Sequence, residues 1–255
     1  MTLLHTLFLL VRRDLKVRIA GSYLGVLWYI AQPLFLILLY GFVFGAVLGV
    51  RFHRDQPSEL FVLYLMAGML PYIGLQESVL RASNALVDNR SLLSSSPLPI
   101  WLYPLVPVLS SAVTEFFALL ILLVVAWWLL GSLSVWIMLI PLLLLARVLM
   151  SAGLAWSFAV LTPFLRDISQ ILTMLLTLLL FATPIFYPAD MVPESWRWIF
   201  GFNPLYYLVS AYRGAILEGV FPAVALCVSL ALGLVVSIVG FLLFRRLSLA
   251  VRDVL

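Results

Sequence analysis

The residues able to do chemistry in this chain are few, and two of them sit where charge is costly. Glu115 and Arg147 fall inside long apolar runs, Tyr103–Leu130 and Val135–Pro163. Glu115 stands 16 residues before Gly131 and Arg147 stands 13 after Ser134. At about 1.5 Å of rise per residue, they reach similar depth in adjacent antiparallel helices. An unpaired charge at mid-membrane costs several kcal/mol, so a partner inside the protein or a wet pathway is the expected solution. Two chemistries fit: a structural ion pair, or direct contact with a polar substrate.

Enzymatic chemistry has little else to draw on. Lys16 is the only lysine, and nothing around it reads G-x-x-x-x-G-K-[ST], so the chain lacks the standard phosphate-binding loop for ATP. His5 and His53 fall at opposite predicted faces, and no Cys/His cluster has metal-ligand spacing, so no metal is expected. Cys227 has no partner for an intrachain disulfide and is read as a packing residue of the last apolar run. The cytoplasmic acids Asp14, Asp88, Asp167 and Asp253 are scattered, whereas a membrane-embedded glycan-processing enzyme usually needs a charged cluster at a membrane face.

The elements that must position these residues are membrane helices. Of 255 residues, 65% are hydrophobic and 10% charged, with a mean hydropathy of +1.18. Six runs, Leu24–Val50, Leu60–Leu80, Tyr103–Leu130, Val135–Pro163, Ile168–Tyr187 and Val220–Phe244, each reach the roughly 20 residues a bilayer crossing requires. The expectation is an all-α protein of six transmembrane helices forming one domain over residues 1–255. Lys and Arg near short loops favour the cytoplasm. With both termini inside, Arg12, Arg13, Lys16, Arg18, Arg81, Arg90, Arg166, Arg245, Arg246 and Arg252 gather on that side. Arg51, Arg54, Arg197 and Arg213 remain outside. Topology thus accounts for the net charge of +4, and no nucleic-acid surface is inferred.

Three segments lie off the spans. In residues 1–22 the charges follow the apolar stretch Leu3–Val11, unlike a secretory signal, so the segment is expected to be retained. As a helix it gathers Leu4, Phe8, Val11, Leu15 and Ile19 on one face and turns Arg12, Arg13 and Lys16 largely elsewhere. That suits an interfacial amphipathic helix, either a plain anchor or a functional element. Residues 81–99, RASNALVDNRSLLSSSPLP, read as polar helical turns followed by a Ser/Pro breaker. Residues 188–219 carry Trp196, Trp198, Phe200, Phe202, Tyr206, Tyr207 and Tyr212, the aromatics of a membrane interface. Short re-entrant outer helices are expected there, between spans five and six.

Four motifs in register with these spans resemble a known family. They are YLGVLWYIAQPL (Tyr23–Leu34, with Tyr23, Gly25 and Pro33), FLRDISQI (Phe164–Ile171, with Arg166 and Asp167), TPIFYP (Thr183–Pro188, with Pro184) and NPLYYLVSAYRGAI (Asn203–Ile216, with Asn203, Pro204 and Arg213). Together they look like the membrane permease of a bacterial ATP-binding-cassette exporter for polysaccharides or polyol phosphates, the O-antigen, capsule and teichoic-acid export permeases. The resemblance implies a homodimer in the inner membrane, two copies of a separately encoded ATPase that binds ATP and Mg, no cofactor on this chain, and a lipid-linked polysaccharide as substrate amid membrane lipids.

The same resemblance makes residues 81–99 a coupling segment that receives the ATPase stroke, with Asn84, Asp88, Asn89 and Arg90 as contacts or simply solvated loop residues. It makes the helix bearing Arg12, Arg13 and Lys16 a gate or interface element. It also implies a channel built from the first and fifth spans. Sugar rings pack apolar C–H faces on aromatics while their hydroxyls stay wet, so Trp28, Tyr29, Gln32, Phe35, Tyr40, Phe44, Phe181, Phe186 and Tyr187 are candidate liners, with lipid contact or packing the alternative for each. Arg213 either attracts acidic groups of the departing substrate or anchors the outer segment to Glu218. Distant relatives of the same architecture export drugs or small lipids, and a membrane-embedded glycan enzyme or an ATP-independent flippase completes the alternatives.

Overall fold

The computed structural model describes residues 3–47, 58–95, 98–165 and 167–254, and within them the chain is helical with no strand. A Leu-rich chain in lipid has no other simple way to satisfy its backbone, because each N–H must find a carbonyl within its own segment. Helix α1 spans Leu3–Ile19. After a 3-10 turn at Gly25–Leu27, α2 (Trp28–Tyr40) passes into a π-helical turn, Gly41–Val47. Next come α3 (Ser58–Ser83), the short α4 (Ala85–Asp88) and α5 (Arg90–Ser95), and the long α6 (Leu102–Leu130). A 3-10 turn, Val135–Leu139, leads into α7 (Ile140–Leu161), followed by α8 (Ile168–Ala182). Short turns and α9 (Trp198–Gly201) precede α10 (Pro204–Arg213), which ends in a π-helical turn, Gly214–Glu218, and α11 (Ala223–Val254) closes the fold.

Among the described residues, four stretches are long and apolar enough to cross a membrane: Leu60–Ser83, Leu102–Leu130, Val135–Leu161 and Ala223–Val251. Trp28–Phe44 and Ile168–Ala182 are apolar but shorter. The fifth run stops early because the chain turns extended at Thr183, just before Pro184.

Helix α3 is the most enclosed of the four and runs through the centre, contacting α6, α7, α8 and α10. The α6–α7 connection is a short hairpin. Gly131 adopts a left-handed φ of 72° and donates its N–H to the Trp127 carbonyl at 2.9 Å, ending α6. Ser134 Oγ then accepts from Trp136 N–H at 3.2 Å and starts the next helix.

Helices α7 and α11 form the most extensive contact of the bundle. They approach so closely at Gly153 and Gly240 that a Cβ on either would overlap backbone, of Val236 in the first case and of Gly153 in the second. Gly233 lies against Ala146, where an added Cβ would stand 2.8 Å from the carbonyl oxygen. Small residues let helix backbones meet where lipid gives no hydrophobic advantage to association. Cys227, expected in packing, instead lies on the exposed side of α11.

Candidate functional site

The polar residues of the bundle are arranged in three tiers along α3. Positions 74, 77 and 81 share one face at i, i+3 and i+4 spacing, positions 64 and 68 share a second face rotated from it, and each meets a charged group from another element.

In the tier nearest α4 and α5, Asp14 and Arg18 of α1 meet Glu77 and Arg81 of α3. Arg81 Nη2 lies 2.5 Å from Asp14 Oδ1, Arg18 Nη1 lies 2.5 Å from Glu77 Oε1, and Arg18 Nε lies 3.2 Å from Asp14. Tyr29 Oη also donates to the Leu15 carbonyl at 3.0 Å, tying α2 to α1. Burial pushes the Asp14 carboxyl up, but hydrogen bonding and charge from Arg81, then the charge of Arg18, outweigh it and hold the pKa below the ordinary 3.8. A lowered carboxylate pKa adds stability that is present above the ordinary value and lost as pH falls through the folded one. Asp14→Asn removes that contribution at neutral pH and is expected to loosen α1 by about 1 kcal/mol. Spin labels on Lys16 and Val87, both exposed, should show a broader distance distribution in the variant. An unchanged distribution would mean that α1 is held by its apolar face alone.

Arg12, Arg13 and Lys16 stand outside this network and are exposed. The apolar face of α1 is only partly covered. Leu4 and Phe8 remain 80% and 61% exposed, while Leu4, Leu7, Phe8 and Val11 border a groove shared with Phe116 and Phe117 of α6.

In the middle tier, Arg147 Nε lies 2.6 Å from Glu115 Oε2, with both side chains buried. Arg147 Nη1 donates to Ser111 Oγ at 3.1 Å, and Tyr212 Oη donates to Glu115 Oε1 at 2.9 Å. Gly74 provides the space, since a Cβ there would stand 2.5 Å from Glu115 Oε2. Burying such a pair is tolerable only with additional hydrogen bonds, and Ser111 and Tyr212 provide them.

The third tier lies at the opposite end, around Arg213. Its Nη1 donates to the Pro184 carbonyl at 2.7 Å, Nη2 to that of Ile185 at 2.9 Å and Nε to that of Tyr64 at 3.2 Å. The guanidinium carbon stands 3.3 Å from the Tyr64 ring centroid. Gly68 leaves room for Nη2. Arg213 is thus tied to two carbonyls just past the end of α8 and to one within α3, and Glu218, the anchoring partner considered from the sequence, is not among its hydrogen-bond partners. Asn203 joins the same region. Its Oδ1 caps α10 by accepting from Leu205 N–H at 3.0 Å, and its Nδ2 donates to Thr183 Oγ1 at 2.8 Å. Pro204 occupies the first turn of α10, where a missing N–H costs nothing.

Of residues 81–99, α4 and α5 form an amphipathic step. Leu86 is fully buried with Tyr103, Ala159, Val160, Phe244 and Val251, while Val87, Asp88 and Arg90 are exposed. Asn84 Oδ1 accepts from Ser169 Oγ at 3.0 Å, linking the step to α8, and Asn89 Nδ2 bonds the Ala85 carbonyl at 2.8 Å. Asn84 and Asn89 thus hold the step in shape, and Asp88 and Arg90 are the ones presented outward.

The candidate liners divide in the same way. Trp28, Gln32, Phe35 and Phe181 are exposed on α2 and α8. Tyr29 is tied to α1, and Tyr40 and Phe44 form a ring chain with Phe61 of α3. Phe186 stacks on Phe181 with centroids 6.0 Å apart, and Tyr187 Oη donates to the Phe181 carbonyl at 2.8 Å. Tyr23 and Gly25 lie in the link before α2, Tyr23 fully exposed, while Pro33 is buried within α2. Asp167 precedes α8, and Arg166 lies outside the described residues, as do Arg51, His53 and Arg54. Sequence reasoning missed the exposed stripe Gln170, Thr173 and Thr177, which leads along α8 to Phe181. The signal was present as polar residues at helical spacing in an otherwise apolar run.

The sequence matches the ABC-2 type transporter family over residues 5–217. It is 27% identical over 256 residues to the O-antigen export system permease protein RfbA of Klebsiella pneumoniae, covering 99% of this chain and 96% of that one. It is 31% identical over 216 residues to the protein of the same name from Myxococcus xanthus, covering 84% and 80%. The polysialic acid transport protein KpsM of Escherichia coli is 26% identical over 240 residues, covering 91% and 90%. A helical bundle with several membrane-length apolar helices, its charges paired inside and its family match spanning most of the sequence, makes this chain a member of the ABC-2 type transporter family of membrane proteins.

Proposed function

We propose that this chain is the membrane subunit of an ATP-driven exporter of lipid-linked polysaccharide, of the O-antigen type first and of capsule or teichoic-acid type next. The observation that carries the reading is the similarity to O-antigen export permeases along nearly the whole chain. In this reading the two shorter apolar helices complete six spans, both termini face the cytoplasm of a bacterial inner membrane, and residues 188–219 form the outer re-entrant segment. Two copies assemble with two copies of a separate ATPase, which binds the ATP and Mg. The exposed faces of α2 and α8, bearing Trp28, Gln32, Phe35, Thr173, Thr177 and Phe181, line the glycan path. Weak contacts repeated along such a wall suit a polymer that must keep moving.

Coupling follows from the α4–α5 step. A push on Asp88 and Arg90 is delivered through Leu86 to α6, α7 and α11, because Leu86 packs in one cluster with residues of all three. Reversing both charges, Asp88→Arg with Arg90→Asp, is expected to weaken ATPase docking about tenfold, or ~1.4 kcal/mol. The same reversal at Arg51 and Arg54 should leave docking unchanged, and equal effects would sink the proposed sidedness. The primary test is isolation of the tagged chain from native membranes in mild detergent. An ABC ATPase at equal copy number, with lipid-linked glycan in the extract, is expected. Purification without any ATPase in several detergents would overturn the reading.

A further inference from the structure

At the α10 end, a cavity of about 600 Å³ is bordered by α3, the residues after α8, α10 and the turn that follows it. Tyr64, Pro184, Pro188, Asp190, Tyr206, Ser210, Arg213 and Glu218 are among its lining residues. The volume falls in the range of small-molecule sites. The side-chain oxygens of Tyr206, Ser210, Asp190 and Glu218 line the cavity without a hydrogen-bond partner among the described residues, and Asp190 and Glu218 are exposed at its rim. We propose that this cavity is a binding site for neutral sugar rings, occupied by the glycan as it leaves the transporter. The inference rests on the exporter reading and adds a second contact region, separate from the faces of α2 and α8.

The chemistry selects that ligand class. Two carboxylates can each accept from sugar hydroxyls, and two protein hydroxyls can donate or accept. Tyrosine and proline rings offer apolar surface for the C–H faces of a sugar. Tyr206 is held in place by stacking on Phe200, with centroids 5.3 Å apart and planes 15° from parallel, so binding would not need to order it. A phosphate or other anion is disfavoured. The guanidinium of Arg213 is already engaged by three carbonyls and the Tyr64 ring, and Asp190 and Glu218 outnumber it. A divalent metal is disfavoured because no group of three His, Cys, Asp or Glu gathers among the described residues.

The test uses Ser210→Cys in a Cys227→Ser background, expressed in cells that make the lipid-linked glycan and in cells blocked in its synthesis. A membrane-impermeant maleimide is expected to label the cysteine in the blocked cells and several-fold more slowly in the exporting cells. Equal rates would overturn the site, as would failure to label in either, since a cavity closed to a small maleimide cannot admit sugar rings. Glu218→Cys, at the exposed rim, repeats the measurement should Ser210→Cys not fold. Surface glycan is measured in parallel. Export that depends on this chain together with unprotected cysteines overturns only the site, whereas export that persists without the chain overturns the exporter reading as well.

Discussion

Arg147→Met is expected to cost about 3–5 kcal/mol of folding free energy, because it leaves the Glu115 carboxylate buried without its cation. The pair spans α6 and α7 and lies against α3, so the loss would fall at the junction of three helices. Tyr212 would remain as a donor to Glu115, and Ser111 would lose the guanidinium it receives. Replacing both charges, Arg147→Met with Glu115→Leu, should recover most of the loss, since no charge is then stranded. A double-mutant cycle on thermal unfolding in detergent measures the coupling directly. Normal yield and unfolding temperature in Arg147→Met, with export abolished, would reject the structural role and assign Arg147 to substrate contact.

Gly240→Val and Gly153→Val are each expected to destabilise the bundle by about 3 kcal/mol or to prevent folding, because the added atoms meet backbone that cannot move aside. Gly153 and Gly240 face each other across the α7–α11 seam, and a Cβ on either would overlap the partner helix. Gly201→Ala is the contrasting control, with nothing within 4 Å of its added Cβ, and should be near neutral. Detergent-resistant folded fraction by size-exclusion chromatography separates the outcomes. A well-folded Gly240→Val would mean that the two helices can part without penalty.

How much of this could be read in the sequence depended on how local each signal was. The Glu115–Arg147 geometry was accessible because both residues are counted from one short turn, and helical rise converts count into depth. The membrane helices were accessible because lipid leaves an apolar run few other structures. Tyr212 as the third partner was not accessible, since it sits in an aromatic-rich segment 97 residues from Glu115 and nothing local aims it inward. The charge network of α1 was half visible. Asp14 with Arg18 and Glu77 with Arg81 are each spaced i, i+4, but helical phase alone does not say which charged stripe meets a neighbour and which, like Arg12, Arg13 and Lys16, meets water. For Arg213 the nearest acid in sequence drew attention, whereas the carbonyls exposed by the break at Pro184 are stronger claimants in space. The ATPase contacts and the glycan path belong to an assembly, so one chain's own pattern can only nominate residues for them.

The short α6–α7 connection also bears on how the chain enters a bilayer. Delivered alone, α6 would take a carboxylate into oil and α7 would take a guanidinium, each opposed by several kcal/mol. Delivered together, as two arms joined by Gly131 and Ser134, they present a neutral couple whose members already face one another. Insertion as a hairpin is therefore expected to cost less than insertion of either helix alone, and a longer connection to leave the finished contacts possible while raising the barrier to reaching them.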